Sequence, residues 1–149
     1  MPFTPIHMGP GILIKSILQG SFSLMVFGWS QILIDLQPLI VLITGEGHLH
    51  GFSHTYLGAS LIAVAAAVSG KYLSEFFLKG AEVKRFVNPH IKWTVAILSA
   101  FIGTFSHLLL DSFIYSDAEP FYPVTSENIF LGVLSSSLIH QLCVYSGIT

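Results

Sequence analysis

Residues 52–77 read FSHTYLGASLIAVAAAVSGKYLSEFF. The run is mostly apolar, and it carries small residues (Gly58, Ala59, Ser60, then Ala63 to Ala67) of the kind that let helices approach closely in lipid. A spanning helix needs about 20 mostly apolar residues, and this stretch supplies them. Three more stretches qualify by the same measure: 21–43, 91–114 and 128–147. The third long segment follows Asn88-Pro89, a helix-start signal. A fifth segment, 5–19, is shorter. Thr4-Pro5 can cap and open it, and fifteen helical residues reach only about 22 Å, less than the roughly 30 Å of a hydrocarbon core. The expected fold is all-α: a polytopic membrane helix bundle of four long transmembrane helices plus a short N-terminal membrane helix.

Composition agrees. The chain is 52% hydrophobic and 9% charged, whereas soluble domains carry about 25% charged residues. One integral membrane domain over 1–149 is expected. A net charge of -2 gives no reason to expect a nucleic-acid partner. The single cysteine, Cys143, lies in an apolar stretch and reads as a packing residue. No cleavable leader is expected, because the first apolar run lacks a basic flank and is interrupted by Pro5, Gly9, Pro10 and Gly11.

Basic residues set the orientation. Lys71, Lys79, Lys84, Arg85 and Lys92 are five of the six, and all lie in or beside the connection between the second and third long helices. That connection is expected on the cytoplasmic side. Lys15, at the far end of the short helix, fits the same side. The loops 44–51 and 115–127 then face outward; they hold Glu46, Asp117, Glu119 and Glu127 but no Lys or Arg.

Ionisable side chains inside a membrane are costly and mark functional sites by default. Asp35, His54, His107 and Asp111 fall within or at the ends of the apolar segments, and His7 opens the short helix. The orientation places all five in the outer half. Asp35, for instance, lies about 12 Å below the outer end of its helix. His107 and Asp111 are four apart and share a helical face. Imidazole with carboxylate suits zinc, with manganese or iron as alternatives. The same five residues can instead hydrogen-bond one another and lock the bundle. His50, with His48 and Glu46, belongs to the outer loop and can line an entrance. Ser53, Thr55 and Ser106 flank the candidate ligands and either orient them or bond the preceding helical turn. His140 is expected to make an interhelical hydrogen bond, and His90 is given no role.

These residues carry a resemblance. Ile6-His7-Met8, Ile34-Asp35-Leu36-Gln37, Gly51-Phe52-Ser53-His54-Thr55, Ser106-His107 with Asp111, and Phe121-Tyr122-Pro123 occur in the order seen in the YdjM-like family of inner-membrane, metal-dependent hydrolases. The opening Met1-Pro2-Phe3-Thr4-Pro5 and the stretch from Trp29 to Asp35 also resemble a divergent bacterial subgroup. Two departures stand out: Gln37 replaces the second acid of the family's Asp-rich element, and Leu49-His50 replaces its His-Arg pair. The resemblance implies one or two divalent ions held by His7, Asp35, His54, His107 and Asp111. It also implies a multi-pass protein of the bacterial inner membrane that hydrolyses its substrate at a site open to the periplasm. Position near headgroup depth suggests a lipid-linked phosphoester or ester. Asp35 is expected to serve as ligand, as base for water, or both. The rival expectation is a non-catalytic membrane protein, a metal or proton conduit or a scaffold, with a structural His/Asp cluster.

Overall fold

A computed structural model of the chain describes residues 7–80 and 89–148. Six α-helices and no strand occur among the described residues. They are α1 (Met8–Leu18), α2 (Leu24–Ile34), α3 (Leu36–Thr44), α4 (Tyr56–Gly80), α5 (Trp93–Ile114) and α6 (Ser136–Ile148), with short 3-10 turns at Gln19–Ser21 and Phe52–His54. The expected cap Thr4-Pro5 and the Asn88 of Asn88-Pro89 lie outside the described residues. Among the described residues, three stretches are long and apolar enough to cross a membrane: Leu24–Thr44, Tyr56–Gly80 and Trp93–Ile114.

Helices α2, α4 and α5 pack into the core, and α1 lies on α6 and α2. The reason is legible along α4, where Ala59, Ala63, Ala66, Ala67 and Gly70 recur at helical spacing and are buried. On α5, Ala96, Ala100 and Gly103 do the same. A Cβ at Gly103 would collide with the Ser30 hydroxyl and crowd the Phe27 backbone, so glycine sets the α2–α5 separation. Lipid gives apolar helices little reason to associate, so close packing and interhelical hydrogen bonds hold them. Trp29 Nε1 donates to Ser69 Oγ at 2.9 Å, the Ser23 amide to Ser99 Oγ at 2.8 Å, and Gln31 Nε2 to the Gly103 carbonyl at 3.0 Å.

The first long segment is broken. Asp35 is the junction between α2 and α3, and three residues later Pro38 has no N–H to offer the Ile34 carbonyl. The ladder resumes with the Leu39 amide on the Asp35 carbonyl at 3.0 Å. The fourth long helix expected over 128–147 is not observed at that length. It is helical only over Ser136–Ile148, or about 20 Å. Asn128 is drawn back to α5, where its side-chain amide donates to the carbonyls of Ser112 and Tyr115. Gly132 turns the chain at φ +73°, and Ser135 starts the helix by accepting from the Leu138 amide.

Lys71 corrects the picture of a basic loop. It is buried within α4, where it pairs with Glu75. Lys71 Nζ also donates to the Ile91 carbonyl at 2.7 Å, and the Ile91 amide donates to Glu75 at 2.9 Å. The pair pins the entry to α5 against α4.

Candidate metal centre

Three places in the chain meet at one end of the bundle and bring four side chains together. The α2–α3 break presents Asp35, the 3-10 turn before α4 presents His54, and the last two turns of α5 present His107 and Asp111. All four are buried, and one donor atom from each lies within 4.8 Å of all the others. The start of α4 is fixed so that His54 points inward. Thr55 Oγ1 accepts from the Gly58 amide, and the Tyr56 amide donates to the Pro120 carbonyl in the outer loop.

Asp111 is the hub. His54 Nε2 stands 3.3 Å and His107 Nε2 3.2 Å from its Oδ2, while His7 Nε2 is 3.8 Å from its Oδ1. His107 Nε2 also stands 3.1 Å from Asp35 Oδ1. Ligand atoms bound tetrahedrally at about 2.0–2.1 Å to one zinc would be separated by about 3.3 Å. The His54–Asp111, His107–Asp111 and His107–Asp35 pairs, at 3.1–3.3 Å, already have about that separation, and His7 stands wider.

The protons support the same fit. Gln31 Nε2 donates to the Gly103 carbonyl, which turns Gln31 Oε1 toward His107 Nδ1 at 2.5 Å. A carbonyl oxygen only accepts, so Nδ1 carries the hydrogen and the Nε2 of a neutral ring offers a lone pair to the cluster. His54 is held from behind as well, its Nδ1 2.9 Å from Ser53 Oγ. Such partners fix the tautomer and aim of metal-binding histidines. Asp35 Oδ1, His54 Nε2 and His107 Nε2 are buried without a hydrogen-bond partner, as is His7 Nδ1. Buried polar atoms are normally satisfied, and a cation would satisfy all three of the clustered ones.

The other expected residues are distributed as follows. His7 packs edge-on against His107, with ring centroids 4.7 Å apart, at the border of the tight group of four. His50 comes closer than a solvated loop residue would. Its Nε2 is 3.9 Å from Asp111 Oδ2, its Nδ1 donates to Asp117 at 2.9 Å, and its ring stacks on Tyr115. Partial burial works to raise the Asp117 pKa, but the hydrogen bond from His50, the charge of His50 and backbone hydrogen bonds together hold the carboxyl below its ordinary range. His48, His50, Phe52, Asp117, Glu119 and Tyr122 line a cavity of about 290 Å³ beside the cluster. Glu46 is exposed. Ser106 turns away and donates to the Gly103 carbonyl of its own helix. His140 is exposed and donates from Nδ1 to the Ser136 carbonyl, again within its own helix rather than across to another. His90 lies at the opposite end, 3.3 Å from Glu75.

Compared with known families, residues 12–144 match one described as the YdjM inner membrane protein family. The chain belongs to the YdjM family. It is therefore an inner membrane protein, and its match includes Asp35, His54, His107 and Asp111 while His7 precedes it. No curated protein and no solved structure matches the chain. Within this YdjM chain, Gln37 has a backbone role in place of the acid: its Oε1 accepts from the Ser53 amide at 2.7 Å and steadies the turn that carries His54. Gln31 was missed from the sequence. The available signal was an amide four residues before Asp35 in an otherwise apolar helix, which places both on one face.

Proposed function

We propose that this chain is a metal-dependent hydrolase of the bacterial inner membrane, with its site open toward the periplasm and a lipid-linked phosphoester or ester as substrate. The observation that carries the reading is the convergence of Asp35 Oδ1, His54 Nε2 and His107 Nε2, buried and without a hydrogen bond, around the Asp111 carboxylate. Asp35, His54, His107 and Asp111 would hold the ion; zinc suits two imidazoles with two carboxylates, and manganese or iron are the alternatives. A divalent ion supplies a water of pKa near 7 and a Lewis acid for the scissile oxygen.

The chain's own residues do the rest. Gln31 holds the His107 tautomer, Ser53 holds His54, and Asp117 holds His50 at the mouth. Asp35, whose Oδ1 faces His107 Nε2 at 3.1 Å, would serve as ligand, as base for water, or both. General bases contribute typically 10²–10⁴ in rate. The cavity beside His50 combines the aromatic side chains of Phe52 and Tyr122 with polar groups, as suits a substrate whose apolar part stays in the membrane. A proton conduit is less well supported. Lys71 and Glu75 are buried toward the far end of α4 and bound to each other, and Lys71 is about 25 Å along the helix from His54.

The test uses detergent-purified protein with phospholipid and isoprenoid-phosphate substrates, with and without chelator. Hydrolysis that chelator removes is the expected result. In Asp35→Asn, turnover lost with metal retained assigns the base role, and turnover and metal lost together assign a ligand role. Metal-loaded protein without chelator-sensitive turnover across that set would favour the non-catalytic scaffold.

A further inference from the structure

The end of the bundle opposite the His/Asp cluster holds a larger cavity of about 760 Å³, between the α1–α2 turn and the start of α5. Its polar rim is basic: Lys15, His90 and Lys92 line it, and among the described residues no Asp or Glu does. Glu75 on α4 is bound by Lys71 and by the Ile91 amide, and it also holds His90 Nδ1 at 3.3 Å, which keeps that ring at the rim. The positions of two rim residues are fixed by the fold. Lys15 folds back over the turn, and its Nζ donates to the carbonyls of Gln19 at 2.6 Å and Phe22 at 2.7 Å. An ammonium has three donors, so one remains for a ligand. Lys92 begins α5 directly after Ile91, which the Lys71–Glu75 pair clamps through its amide and carbonyl. The deeper wall is apolar, with Leu24, Met25, Leu78, Val95 and Leu98. Leu24 and Met25 also belong to a second, almost wholly apolar groove of about 390 Å³ that runs between α2 and α4 past Gly28, Leu73 and Phe77.

A basic rim that leads into an apolar groove has the shape of an amphiphile. We propose that this end binds an anionic phospholipid, its phosphate between Lys15, Lys92 and His90 and an acyl chain along the α2–α4 groove. The adjoining groove is what selects a lipid over free phosphate, which has nothing to place there. Basic pockets between transmembrane helices serve anionic headgroups elsewhere, with each Lys or Arg near the surface worth about a fivefold change in binding. The site is independent of whatever chemistry the opposite end performs.

The experiment is native mass spectrometry and thermal unfolding of the full chain in detergent. Phosphatidylglycerol, phosphatidylcholine and inorganic phosphate are added in parallel. Phosphatidylglycerol should be retained in preference to phosphatidylcholine and should raise the unfolding temperature, while inorganic phosphate should not. Lys92→Gln should weaken phosphatidylglycerol retention about fivefold. Lys15→Arg should keep it, whereas Lys15→Gln also loses the bonds that hold the turn, which makes Lys92→Gln the deciding variant. Equal retention of the two lipids, an undiminished preference in Lys92→Gln, or stabilisation by inorganic phosphate equal to that by phosphatidylglycerol would each overturn the proposal.

Discussion

At the scale of residues, the site is one carboxylate faced by imidazoles. His7, His50, His54 and His107 all approach Asp111 within 3.9 Å. Gln31 decides which nitrogen of His107 is free to ligate, while Asp117 and Ser53 hold the rings of His50 and His54. Gln31 gives the sharpest prediction. Gln31→Leu removes the acceptor for His107 Nδ1 and should weaken metal binding about 10–100-fold, as read by competition with a chromophoric chelator. Gln31→Glu restores an acceptor and should recover most of the loss. Equal affinities in all three proteins would mean that the contact does not orient His107. His54, His107, Asp35 and Asp111 were legible in the sequence because a charge in an apolar segment is expensive. Gln31 was less so, since a neutral amide carries no such signal. The approach of His50 depends on Asp117 from a different loop, and no spacing along the chain encodes that pairing.

At the scale of elements, Asp35 owes its place to a proline. Pro38 cannot donate to the Ile34 carbonyl, so the helical ladder is interrupted at Asp35, the junction of α2 and α3, whose side chain lies in the cluster. Pro38→Ala restores a missing amide. It should leave thermal stability equal or higher, yet reduce metal affinity about tenfold or more as Asp35 swings away. A variant that binds metal as tightly as the parent would show that the interruption does not position Asp35. Hydropathy located α4 and α5 within a few residues, because their small, apolar faces extend through the whole helix. It overran α6, because the apolar residues from Ile129 to Leu134 look helical by hydropathy. Their backbone is claimed instead by Asn128 on the end of α5 and by the positive φ of Gly132. Length and polarity are readable from composition; a tertiary contact that halts a helix is not.

At the scale of the molecule, the two ends differ in charge and in chemistry. One end carries the His/Asp cluster below loops without Lys or Arg, and the other carries the basic rim. The orientation that follows from charge can be tested with an impermeant maleimide on intact cells, in a Cys143→Ser chain. Glu46→Cys and Val124→Cys should label directly, and Lys79→Cys only after the membrane is opened; the reverse pattern would invert the topology. The central claim is that the cluster holds a divalent ion, and elemental analysis addresses it most directly. Full-length protein, purified in detergent after growth with zinc, manganese and iron, is compared with a His107→Ala/Asp111→Ala variant of equal helical content. The account predicts about one divalent ion per wild-type chain and almost none in the variant. Folded wild-type protein carrying no more metal than the variant would contradict it.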